Sequence, residues 1–154
     1  MKRLAGIISM LALAGCAAIE PAASQQTGWS GAWGASPTIP PAGGKAFENQ
    51  TVRQVVRLST GGSAVRVRFT NEYSDKPLDI GAATIAIAGA DGKPTGEILT
   101  LTFGGKPSVA IPAGAPLLSD PVALSVKALD SLSLSIFLPT ATGPCTCHFA
   151  GTAT

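Results

Sequence analysis

Histidine is nearly absent from this sequence: His148 is the single one among 154 residues. A zinc centre wants four ligands, usually at wider spacing. His148 beside Cys145 and Cys147 in "GPCTCHF" does not supply them, and neither a metal nor any other cofactor is expected. Charge is scarce too, at 13% of residues, and nothing supports a nucleic-acid reading. Aromatic residues make up 5%. No stretch has convincing amphipathic-helix periodicity, and no internal repeat is visible. Abundant instead are Gly, Pro, Ala, Ser and Thr, with 18 glycines and 12 prolines. With 45% apolar residues the chain is not disordered, and it is long enough for one turn-rich β domain with a real core.

The N-terminus has its own logic. Lys2-Arg3 precede an apolar run of 12 residues, Leu4 to Gly15, too short to span a bilayer and shaped like a secretory signal. Its end, Leu13-Ala14-Gly15-Cys16, matches the bacterial lipobox, in which the Cys thiol takes a diacylglycerol and becomes the new N-terminus. Residues 1–15 are therefore read as a signal peptide. Residues 16–28 are read as a lipidated Cys16 on a flexible tether, and the domain as 29–154. Acyl chains on Cys16 would anchor the protein to the membrane, and Ala17 points to the outer membrane where the host has one. Loss of Lys2 and Arg3 takes eleven basic residues to nine, against nine acidic ones. The mature chain is then formally neutral. In an exported protein Cys145 and Cys147 could form disulfides. A bridge across one residue is awkward in an extended chain, so reduced thiols or partners elsewhere are expected.

Alternation and turn signals predict strands at Gly31–Ala35, Val52–Ser59, Ala64–Thr70, Leu78–Ala88, Ile98–Phe103, Ser108–Ile111, Val122–Val126 and Ser131–Leu138. So many short strands argue for an all-β, antiparallel β-sandwich, jelly-roll-like. The stretch "TVRQVVRLSTGGSAVRVRFTN" reads as a hairpin turning at Gly61-Gly62. Val56 would then meet Val67 and Leu58 meet Val65, with Phe69 on the same apolar face. Arg57 would oppose Arg66, with Arg53 and Arg68 nearby. Like charges placed so destabilise a sheet. The four arginines therefore imply a domain-interface or ligand face, or local pairing with Glu72, Asp75 or Asp79.

Trp29 and Trp33 would share a strand face. They could stack on sugar rings, but burial at the edge of the core is the expected role. Asp130-Ser131-Leu132 mimics an esterase nucleophile block. Yet Leu129 stands where Gly is needed, and Cys145 occupies the position three residues before His148. A serine nucleophile needs a base within reach and oxyanion donors, and neither is assembled here. No catalytic residue is assigned, and His148 reads as structural or solvated.

"GAWGASP", "NQTVRQVVRLSTGGSAVRVRFTNEYSDKPLDIGAATIAIA", "LTFGGKPSVAIPAGAPLLSDPVAL" and "LSLSIFLPTATGPCTCH", in that order, resemble the N-terminal region of secreted bacterial SGNH (GDSL-type) hydrolases. There an all-β domain precedes an α/β esterase domain. The resemblance covers most of residues 29–149. It implies an accessory domain that supports a catalytic domain or binds substrate, with a serine ester hydrolase as parent. The family's Gly-Asp-Ser block, oxyanion Gly and Asn, and Asp-His pair belong to a region expected after residue 154. This chain alone is thus expected to be inactive and to stop short of its catalytic domain. Expected partners are that domain, the membrane through the lipid, and a polysaccharide. The alternative is a stand-alone carbohydrate-binding lipoprotein.

Overall fold

The computed structural model describes residues 28–148. The signal segment and Cys16 lie outside the described residues, as does all of the tether except Gly28. Eight strands are present: β1 (Gln50–Arg57), β2 (Arg68–Thr70), β3 (Leu78–Ile80), β4 (Ala82–Ala88), β5 (Pro94–Thr100), β6 (Val109–Ile111), β7 (Pro116–Leu118) and β8 (Ser131–Leu138). Every pairing is antiparallel, and no helix occurs among the described residues. The chain is all-β.

The largest sheet has the order β1-β8-β4-β5, with β2-β7 and β3-β6 as separate ladders. Alternation decides what each strand buries. Val52, Val56, Leu132, Leu134, Leu138, Ala83 and Ile85 face inward from the large sheet. Phe69, Ile80, Leu101, Phe103 and Ile111 complete the same apolar cluster. The Phe69 and Phe103 rings meet edge to face at 5.6 Å, a favoured aromatic geometry.

The predicted hairpin does not form. β1 pairs with β8, placing Val56 opposite Leu132 and Arg57 opposite Ser131. The second run of the supposed hairpin instead lies along residues 116–126, through Gly62–Val126 and Val65–Val122 bridges and the Arg68–Leu118 pairing. The reason is visible at the turn. Neither Gly61 nor Gly62 has the positive φ of a primed hairpin turn. Gly61 serves close approach: a Cβ there would lie 2.6 Å from the Val126 carbonyl oxygen. The turn of that kind is Gly104-Gly105, with φ of 60° and 79°, between the bridged Phe103 and Lys106.

The apolar half of the reading survives the change of partner. Leu58 and Phe69 are buried, and Val56, Val65 and Val67 pack against the core. The run Leu78–Ala88, read as one strand, breaks at Gly81. There the chain passes from the small β3-β6 ladder into the large sheet, and a Cβ would come within 2.9 Å of the Phe137 ring. Gly31–Ala35 and Val122–Val126 form no strand, while Pro116–Leu118, where none was predicted, does.

The C-terminal stretch zips onto the segment before β1. Phe47 exchanges hydrogen bonds with Thr142, Cys145 N–H donates to the Lys45 carbonyl, and Thr38 bridges to Cys147. Cys145 and Cys147 are joined by a disulfide, contrary to the expectation of free thiols. The chain is contracted enough to bring the two Cα atoms to 5.3 Å, inside the range a disulfide spans.

Candidate functional site: a cleft beside Trp29 and Arg66

Two side chains that the sequence treats separately meet at the surface. The Arg66 guanidinium carbon lies 5.0 Å from the centre of the Trp29 ring, within cation–π range. Beside them is a cleft of about 370 Å³ between residues 28–32 and the loop Thr60–Arg66, with Leu58 and Val126 also lining it. Ser30, Thr60 and Ser63 contribute hydroxyls to its wall, and Arg66 is its only charged residue among the described ones.

Local structure explains why the cleft holds its shape. Residues 62–69 alternate, so Val65, Val67 and Phe69 point to the core while Arg66 and Arg68 point outward. The Gly62 and Val126 backbones exchange two hydrogen bonds of 2.9 and 2.8 Å. The 28–32 segment is fastened by the Ala32 carbonyl, which accepts from the Ser59 N–H at 2.8 Å and from its hydroxyl at 2.9 Å.

Trp29 and Trp33 were expected at the edge of the core, yet each is 56% exposed. No strand forms at Gly31–Ala35 to turn them inward, so the two rings stay at the surface. Trp29 lines the cleft, and Trp33 does not.

All four arginines are exposed, but they do not share a face. Arg53 and Arg57 stand on the outward side of β1, where Arg53 Nε donates to the Ser135 hydroxyl at 3.1 Å. Arg66 and Arg68 belong to the other ladder. Arg68 pairs with Glu72 at 3.0 Å. The Thr70 hydroxyl and then Arg68 hold the Glu72 carboxyl below its ordinary range. Arg66 makes no salt bridge among the described residues.

Asp120, in the neighbourhood of Arg66, is committed elsewhere. It accepts from Gly105 N–H at 2.7 Å, the Thr102 hydroxyl at 2.7 Å and Gly104 N–H at 3.0 Å. Those bonds, the Gly105 one foremost, with the Arg66 charge adding to them, depress its pKa. Asp120 and the hydroxyls of the Thr60 loop were not legible as site features. Only the Ser/Thr/Gly density of "STGGS" hinted at a polar loop.

The esterase mimic resolves into a turn. Lys127 N–H donates to the Asp130 carboxylate at 2.8 Å, Leu129 adopts a φ of 71°, and Ser131 opens β8 opposite Arg57. His148 lies beyond the other end of that strand, its Nδ1 3.2 Å from the Ser36 carbonyl. No family model matches the chain, and no curated protein matches it.

Proposed function

We propose that the chain is a β-sandwich accessory domain of an SGNH-type ester hydrolase, exported and lipid-anchored through Cys16, that contributes substrate binding rather than bond cleavage. The sandwich reading takes the large sheet as one layer and the two small ladders as the other. The observation that carries the functional reading is the cleft. An exposed tryptophan, an arginine within cation–π range of its ring and three hydroxyl residues line it, and among the described residues no carboxylate or histidine lines it to act as acid or base. Such a surface binds; it lacks the groups that would activate a nucleophile. A sugar ring fits it, because pyranose C–H faces stack on indole while hydroxyls reach the polar rim. The same observation favours the second reading, a stand-alone carbohydrate-binding lipoprotein.

Electrophoresis of the purified full chain through gels containing acylated polysaccharides tests the binding role. Retardation that disappears in Trp29→Ala is the expected result, and unretarded wild-type chain would overturn it. An in-frame downstream continuation carrying Gly-Asp-Ser supports the esterase partner, and a stop codon followed by unrelated sequence supports the second reading. Palmitate labelling that is equal in wild type and Cys16→Ala would remove the anchor from the proposal.

A further inference from the structure

We infer that the cleft takes an acidic sugar, a hexuronate unit whose carboxylate seats on Arg66 while its ring lies against Trp29. This rests on the glycan-binding reading above and narrows it. A neutral sugar presents hydroxyl hydrogens that need acceptors, and carbohydrate sites usually meet them with carboxylates or side-chain amides. Among the described residues, the cleft lining contains no Asp, Glu, Asn or Gln. What it offers is Arg66, with five N–H donors and no acceptor, and the hydroxyls of Ser30, Thr60 and Ser63, which both donate and accept. Asp120, the nearby acid, makes no salt bridge with Arg66 among the described residues; its carboxylate oxygens accept from the Gly104-Gly105 turn and Thr102. The Arg66 guanidinium carbon lies 5.0 Å from the centre of the Trp29 ring, so the group stands beside the indole. A planar carboxylate matches the fork of such a group through two parallel bonds, which a tetrahedral sulfate matches less well. The volume of about 370 Å³ suits one or two sugar rings rather than a long chain.

Both tryptophans of the protein sit in the segment 29–33, so intrinsic fluorescence reports locally. The full chain is titrated with trigalacturonate, its methyl ester, a neutral galactose trisaccharide and sulfated dextran. Trigalacturonate should shift the emission, in wild type and in Trp33→Phe alike. It should bind about tenfold or more tightly than its methyl ester, the loss expected for removing one charge-assisted hydrogen-bond pair. Affinity should fall as salt rises. Arg66→Gln should erase the difference between acid and ester, whereas Arg68→Gln should leave it.

Equal affinity for acid, ester and neutral sugar would overturn the acidic-sugar inference while leaving glycan binding intact. Preference for sulfated dextran, or equal losses in Arg66→Gln and Arg68→Gln, would replace the seated carboxylate with diffuse charge attraction and overturn it too. Failure of every saccharide here, together with unretarded migration in polysaccharide gels, would remove both readings. The ester comparison needs no variant, so misfolding cannot obscure it.

Discussion

Asp120 and Phe69 are single residues on which distant parts of the chain depend. Asp120 caps a turn made fifteen residues earlier, and its carboxyl titrates below the ordinary value because the folded turn donates to it. A carboxyl depressed in the folded state adds stability above its unfolded pKa, near pH 4, and that stability drains away as pH falls through the lower folded value. Urea midpoints measured from pH 7 to pH 2 should therefore drop for the wild type below about pH 4. Asp120→Asn should start lower at pH 7 and show a shallower fall, since its amide cannot accept from both glycines and Thr102. Identical slopes would mean that other carboxylates carry the acid response. Phe69, buried and in edge contact with Phe103, should cost about 3–5 kcal/mol on truncation to Ala, read from the same denaturant melts.

Phe69 was legible in the sequence because alternation alone assigns it to the core face, whichever strand it pairs with. Asp120 and Asn71 were not legible. Asn71 is buried, and its amide donates to the carbonyls of Lys76, Ile111 and Pro112. Two of those three acceptors lie 40 and 41 residues away, which no local pattern reveals.

At the scale of the element, the instructive case is one dipeptide used in two ways. Gly-Gly at 104–105 makes a turn with positive φ, whereas Gly-Gly at 61–62 lets one backbone lie against another. The two substitutions at the second pair should therefore differ sharply. Gly61→Ala meets the Val126 carbonyl at 2.6 Å and must push that segment away, while Gly62→Ala finds its nearest neighbour at 3.6 Å. The first should lower the melting temperature and weaken ligand binding in the cleft. The second should be neutral, or stabilise by about 0.4–1 kcal/mol through the unfolded state. Equal damage from both would restore the hairpin turn.

The sequence made strand existence readable in most places. β8 was bounded correctly at both ends, since Asp130 stops it on one side and Pro139 on the other. Partnership was not readable. A run that alternates Val and Arg fits any neighbour with an apolar inner face, and the register follows only from where the whole chain closes. The candidate site suffered in the same way. Its tryptophan and its arginine were both in view, but the contact between them depends on a segment that forms no strand at all.

At the scale of the molecule, the new pairing separates the arginines into two outward surfaces and removes the repulsion that a hairpin would have imposed. Arg53 and Arg57 stand on β1 of the large sheet, and neither lines the cleft at Arg66. The sheet order β1-β8-β4-β5 also has a consequence in time. The last of the eight described strands to be made is a central one, inserted between the first and the fourth. Until Ser131–Leu138 emerges, β1 has no neighbour and β4 lacks one of its two, so the core has no floor to close upon. A chain ended at Asp130 should show neither a cooperative melt nor dispersed amide resonances, whereas one ended after His148 should show both. Pairings this remote in sequence fold slowly. Slowness of that kind leaves the early strands open while they are being made: the large sheet cannot be completed until Ser131–Leu138 has emerged.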